Sequence, residues 1–399
     1  MRQILTVAIA ALGLSVAAAS VRSQCLDASV TFTQVSRDSL VVAYVFNEAI
    51  SSLHFGRPVD EYRTKAWRVL TEGLGIQRQG NEDVLVGPAG ESFRHATIAI
   101  SQYSTYPSDQ YVPIAHFSDG SYALYLGYFV GDTQTVDGKR VLCPRYFFST
   151  PPGYALLTGS QAREQPKGYV YFGDLLPVDA GYARLLLDGT APAWLDSVLQ
   201  RVVASTSELY RRGLPLSPKR SPLILLAAGE LEAIEGYSIK GGAVGDQIVF
   251  TLRGTDLHDE TPELRATFER LVAHELAHLW HQAANPATDA NDDPLITEGG
   301  CEALAVRVLV AAGIWTRQQG DAFTERARDG CPQHELGIPP QPELLQEIKG
   351  LDPYACGYLM FTDSGMDPFT IWSRMMTNVR KTHEGYTRKL FDEVTGASR

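Results

Sequence analysis

The chain has 399 residues, 44% of them hydrophobic and 20% charged, which suits a folded protein of one large or two ordinary domains with sizeable cores. A formal net charge of −11, with no basic cluster interleaved with aromatics, argues against a nucleic-acid surface.

Met1-Arg2-Gln3, the apolar run from Ile4 to Ala19 and the small residues Ala17-Ala18-Ala19 have the shape of a secretory signal, with processing after Ala19 or Ser23. The expected location is therefore secreted or periplasmic. That run is short for a membrane span, and nothing later approaches the roughly 20 apolar residues a span needs. No stable span is expected after processing; a retained anchor is the other reading. Cys25 follows Arg22-Ser23-Gln24, which is unlike a lipoprotein processing box. The five cysteines are Cys25, Cys143, Cys301, Cys331 and Cys356. In an exported protein some should pair, and an odd number leaves a free thiol or an intermolecular bond. Cys25 with Cys143 would tie the N-terminal region, and two of the last three would tie the second half, with the connectivity left open.

From about Ala28 to Phe172 short alternating runs such as Ser39 to Phe46, Ala96 to Ile100 and Tyr122 to Val130 are separated by Gly, Pro, Asp and Ser. They predict an antiparallel β domain of sandwich type over residues 24–185, after a signal segment 1–23. Near Pro177 to Pro192 the texture changes. Trp194 to Arg212 has helical periodicity through Leu195, Val198, Leu199, Val202 and Leu209. Leu223 to Ala228 and Gln247 to Leu252 read as buried strands, the second reached through Gly241-Gly242. The fold class expected is α+β, an N-terminal β domain followed by an α/β catalytic domain over 186–399.

Leu271-Val-Ala-His-Glu-Leu-Ala-His-Leu-Trp280 reads as one helix, with Thr261 as cap, Pro262 at the first helical position and Asn285-Pro286 as stop. His274 and His278 are four apart, so both imidazoles project from one face and can share one metal ion, with Glu275 beside the open position. This is the zinc-hydrolase arrangement: two neutral nitrogens hold one Zn²⁺, and a carboxylate takes a proton from water whose pKa the ion lowers. The helix buries Leu264, Phe268, Leu271, Val272 and Leu279, and such a helix needs something to satisfy two His and a Glu.

A catalytic zinc wants three protein ligands and an open position. Metzincins supply a third His beyond a Gly, but His281 and Ala284 occupy the relevant places here, so that pattern fails. His281 is read as a rim or supporting residue, and Glu298 is the better third ligand. After the polar stretch from Asn285 to Pro294, Ile296-Thr297-Glu298-Gly299-Gly300-Cys301-Glu302 leads into an apolar helix. Pro368 to Gly396 reads as two amphipathic helices.

Here the chain resembles the gluzincins, and specifically the aminopeptidase N-like and glycyl aminopeptidase-like families. In these the HExxH helix is followed after about eighteen residues by the third ligand in an Asn-Glu-Gly context. Thr297-Glu298-Gly299 stands in that place, with nineteen residues between His278 and Glu298 and with Thr replacing Asn. The resemblance implies a thermolysin-like catalytic domain, with His274, His278 and Glu298 as ligands and Glu275 as general base. Glu302, one turn after Glu298, is similar to the acidic residue that orients a ligating imidazole in thermolysin, and its plainer reading is an ordinary helix Glu. Asp352-Pro353-Tyr354-Ala355-Cys356-Gly357 resembles the Pro-Tyr-x-Lys-Gly segment, which implies that Tyr354 stabilises the oxyanion, with Cys356 replacing the family Lys. The similarity covers about residues 190–396. The family's Gly-x-Met-Glu-Asn motif is missing. The matching substrate edge reads Gly241-Gly242-Ala243-Val244-Gly245-Asp246, where Asp246 is either a turn residue or a substitute for the amine-binding Glu.

These residues lead to the expectation of a secreted zinc peptidase acting on peptides or proteins. Its rivals are a catalytically silent binding or assembly protein on the same fold, a strict aminopeptidase with a non-standard amine anchor, and a non-peptide hydrolase.

Overall fold

The computed structural model describes residues 25–396 apart from 38, 57, 108–109, 159–167, 285–291 and 332–351. The signal-like segment 1–23 and the Asn285-Pro286 helix stop therefore lie outside the described residues. The fold is α+β, and it divides between Asp174 and Leu175 into two compact units. This division precedes residue 185 because Val178–Asp179 and Arg184–Leu187 pair into the second unit's sheet.

The first unit contains a nine-stranded sheet. Its spatial order is Trp67–Val69, Phe93–Ser101, Ser39–Ile50, Cys25–Ser36, Gly138–Ser149, Asp132–Thr135, Ser52–His54, Glu82–Val86 and Gly75–Gln79. Alternation along Cys25–Ser36 sends Leu26, Ala28, Val30 and Phe32 inward, as a strand's period of two requires. Pairing is antiparallel except between Cys25–Ser36 and Gly138–Ser149, which run parallel and are tied by the Cys25–Cys143 disulfide. A second, four-stranded sheet orders Ala155–Thr158, Tyr169–Gly173, Tyr122–Tyr125 and Ile114–His116. The Tyr122 strand stops at Tyr125 and gives way to a 3₁₀ turn, Leu126–Phe129. Phe129 then meets Phe32 edge-on at 5.0 Å, and Phe172 meets Phe148 at 6.4 Å, so aromatic rings fill the space between the sheets.

The second unit is built on a mixed sheet ordered Val178–Asp179, Arg184–Leu187, Leu223–Glu230, Gln247–Arg253 and Ser238–Lys240, with Ala243–Val244 also on Gln247–Arg253. Its central strands are parallel and apolar on both faces, as strands covered by helices must be. Helix Ala193–Gly213 and the HExxH helix, Pro262–Ala284, pack together, and Tyr210 donates to the Ala273 carbonyl at 2.8 Å. Thr261 Oγ1 accepts the Leu264 amide at 3.2 Å, so the cap and the proline begin the HExxH helix as its sequence requires. Leu264, Phe268, Val272, Leu276 and Leu279 are buried, each stabilising the unit by about 1.5–3 kcal/mol. Leu271 is only partly buried.

The Glu298 helix, Pro294–Ala311, starts at its proline, with Asp293 accepting the Leu295 amide at 2.9 Å. Glu298 is therefore already in the helix rather than ahead of it. Among the described residues of the second unit, three helices remain besides the Tyr354 helix, Pro353–Asp363: Arg317–Gly330, Pro368–Thr382 and Arg388–Thr395. Cys331–Cys356 joins the end of Arg317–Gly330 to the Tyr354 helix, and Cys301 is free and buried. Among the described residues, no helix is long and apolar enough to cross a membrane.

Candidate metal centre

One turn of the HExxH helix carries His274 and His278 to the same side, and their Nε2 atoms stand 3.0 Å apart. Glu298 closes the triangle, with Oε2 3.2 Å from each Nε2. Three donors about 2.0–2.1 Å from a tetrahedral ion would stand roughly 3.3 Å apart, so the size of this triangle suits one zinc ion. Two imidazole nitrogens aimed at each other and at one carboxylate oxygen form a set that a metal ion or shared protons can satisfy, and both rings are largely buried.

Supporting partners back the two imidazoles. Glu302 is 1% exposed, and its Oε2 lies 2.8 Å from His274 Nδ1. Donation from Nδ1–H would leave the Nε2 lone pair free to bind a metal. Arg270 donates to the other Glu302 oxygen. Burial works against the Glu302 charge, yet Arg270 and the His274 hydrogen bond hold its carboxyl below the ordinary range. His278 leans on a different group: its Nδ1 is 3.5 Å from Cys301 Sγ. His281 does not join the triangle; its Nε2 is 3.6 Å from Asp292 Oδ2 and its ring packs on Tyr386.

Glu275 is buried beside His274 and His278, facing the edge Gly241-Gly242-Ala243. Burial pushes its carboxyl up, opposed by His274, His278 and the Ala243 amide hydrogen bond. A Cβ on Gly241 would stand 2.9 Å from Glu275 Cγ and Oε1, so this place on the edge admits only glycine without a shift. The Gly242 carbonyl accepts the Val249 amide at 3.0 Å, and Ala243 and Val244 pair with Ile248 and Gln247.

Tyr354 lies in the first turn of its helix, where Asp352 accepts its amide at 2.9 Å. Its ring centroid is 5.5 Å from that of His274, and the residue is 45% exposed. Burial, then the charges of Glu298 and Glu275, push its phenol up, which keeps it a neutral donor. Sequence reasoning misses Arg270 and Cys301 as site residues. Arg270 has a local signal, being four residues before His274 on one helical face; Cys301 has none beyond lying three residues after Glu298.

No family model matches the chain, and no curated protein matches it either. Solved structures that it is similar to include native leukotriene A4 hydrolase from Saccharomyces cerevisiae, at 11% identity and a TM-score of 0.48, covering 92% of this chain and 64% of that one. An M1 zinc metallopeptidase from Deinococcus radiodurans is 14% identical with a TM-score of 0.45, covering 94% of this chain and 89% of that one. A mutant of that peptidase bound to a Tyr-Ser-Ala substrate is 14% identical with a TM-score of 0.42, covering 94% and 90%. The chain thus spans 64% of the length of the yeast hydrolase.

Proposed function

We propose that this chain is an exported zinc-dependent peptidase of gluzincin type, with one ion held by His274, His278 and Glu298. The observation that carries the reading is the convergence of three donors within 3.2 Å of one another, two of them on largely buried imidazoles, with Glu275 and Tyr354 next to them. Zinc at that point would act as a Lewis acid on a carbonyl and lower the pKa of water.

The chain's own residues do the rest. Glu275, its carboxyl raised by burial toward the range of a general base, takes a proton from the attacking water and returns it to the leaving nitrogen. The Ala243 amide holds its carboxylate in place. Tyr354, still protonated, donates a hydrogen bond to the oxyanion of the tetrahedral species. Glu302 and Arg270 keep His274 in one tautomer. The edge from Gly241 to Val244 lies against Glu275, and an extended peptide laid along it would present its scissile bond to the site. Two disulfides suit an oxidising compartment, in keeping with the signal-like first 23 residues.

Metal analysis of the processed protein, coupled to a broad peptide-library digest with and without a chelator, tests the reading. Cleavage should disappear on chelation and return with about one equivalent of zinc. Tight binding of one zinc without peptide cleavage would favour the silent binding protein, and turnover of esters alone would favour a non-peptide hydrolase.

A further inference from the structure

The two ligating imidazoles are supported unequally. His274 Nδ1 faces a carboxylate, Glu302, which is itself bound by Arg270. His278 Nδ1 faces the sulfur of Cys301 at 3.5 Å, an ordinary length for a hydrogen bond to sulfur. Cys301 is fully buried and outside both disulfides. It follows Glu298 by three residues in the same helix, so one helix supplies both the third ligand and the group behind the second.

We propose that Cys301 is the positioning residue of His278, its sulfur accepting the Nδ1–H so that the Nε2 lone pair is fixed on the ion. This rests on the zinc reading above. The geometry also brings His281 near: its ring, His278 and Cys301 each offer a ligating atom within 4.8 Å of the others. A second ion there is the competing interpretation, and the chemistry of one imidazole disfavours it. With Nε2 on the front ion, a neutral His278 keeps its proton on Nδ1. That nitrogen can ligate a second ion only by losing this proton too, becoming an imidazolate. A hydrogen bond to sulfur requires no such step. The pair of supports also balances charge: Glu302 brings a negative charge that Arg270 answers, whereas a thiol beside His278 adds no charge that would need an answering cation.

Loss of a group that orients a ligating imidazole costs typically ten- to a hundredfold in metal affinity. Zinc affinity by chelator competition, and thermal unfolding with and without zinc, are measured for the parent, Cys301→Ala and Cys301→Ser. Cys301→Ala should bind zinc about 10- to 100-fold more weakly. Its zinc-dependent gain in Tm should shrink by more than its metal-free Tm falls, and Cys301→Ser, which keeps an acceptor, should recover part of the affinity. A parent that binds no zinc sinks the zinc reading and this inference together. If the parent binds one zinc and both variants bind it as tightly, only this inference fails. It also fails if Cys301→Ala lowers the metal-free Tm alone, which would leave Cys301 a packing role. A second zinc equivalent present in the parent and absent from Cys301→Ala would overturn it in favour of an ion held by sulfur and two imidazoles.

Discussion

Gly299 and Gly357 meet backbone to backbone: a Cβ on Gly299 would stand 2.2 Å from Gly357 Cα, and one on Gly357 would stand 2.2 Å from the Leu295 carbonyl oxygen. The Glu298 helix and the Tyr354 helix therefore approach closely enough that neither glycine leaves room for a side chain. Glu298, beside one glycine, and Tyr354, about one turn before the other, are brought to one site by this contact. Gly357→Ala should force the helices apart, costing stability by about 1–3 kcal/mol as overpacking does. Turnover should fall as Tyr354 moves away from His274. Denaturant unfolding together with steady-state rates measures both, and an unchanged pair of values would refute the contact's importance.

Glu298→Ala reduces three donors to two. Zinc affinity should fall along with the rate, because the remaining imidazoles are still oriented by Glu302 and Cys301 but lack a charged ligand. A variant that keeps stoichiometric zinc at the parent's affinity would remove Glu298 from the ligand set and return attention to His281.

Tyr354→Phe deletes a hydroxyl from a half-exposed ring, so the fold should tolerate it. If the hydroxyl acts on the oxyanion, kcat drops by roughly 10²- to 10³-fold with little change in KM. An unaltered kcat would leave Tyr354 with packing against His274 as its role.

Where a peptide is cut depends on what can hold its amine. The edge Gly241–Val244 carries no acidic side chain, and Asp246 lies in the turn beyond it. A protonated amine brought there meets no acidic side chain of the edge itself, and Glu275 behind it is committed to proton transfer. Cleavage should accordingly tolerate an acetylated N-terminus, tested on one peptide series with free and blocked ends. Abolition by acetylation, reproduced on the free peptide by Asp246→Asn, would make the enzyme an aminopeptidase.

Legibility in the sequence follows the range of the interactions involved. His274, Glu275 and His278 can be placed together because a helix fixes residues four apart without help from the rest of the chain. Glu298 and Tyr354 need the family resemblance, since nothing local says that residues twenty and seventy-six positions beyond His278 will meet it. Cys301 escapes because its partner sits on another helix, and the sequence offers it only as a disulfide candidate or an unpaired cysteine. The alternation in Cys25–Ser36 announces a strand but not its direction against Gly138–Ser149, because period two is the same in parallel and antiparallel sheets. Likewise the odd cysteine count announces a free thiol or an intermolecular bond without saying which cysteine; proximity in the fold leaves Cys301 outside both disulfides.

Glu275→Gln tests the central claim most directly, since it removes the proton acceptor while keeping the side chain's size and its hydrogen bond from Ala243 within reach. Zinc content and peptide turnover are measured on the same preparation. The account predicts one zinc per chain, an unchanged fold and turnover lower by orders of magnitude. Parent-level turnover by the zinc-loaded variant would contradict it.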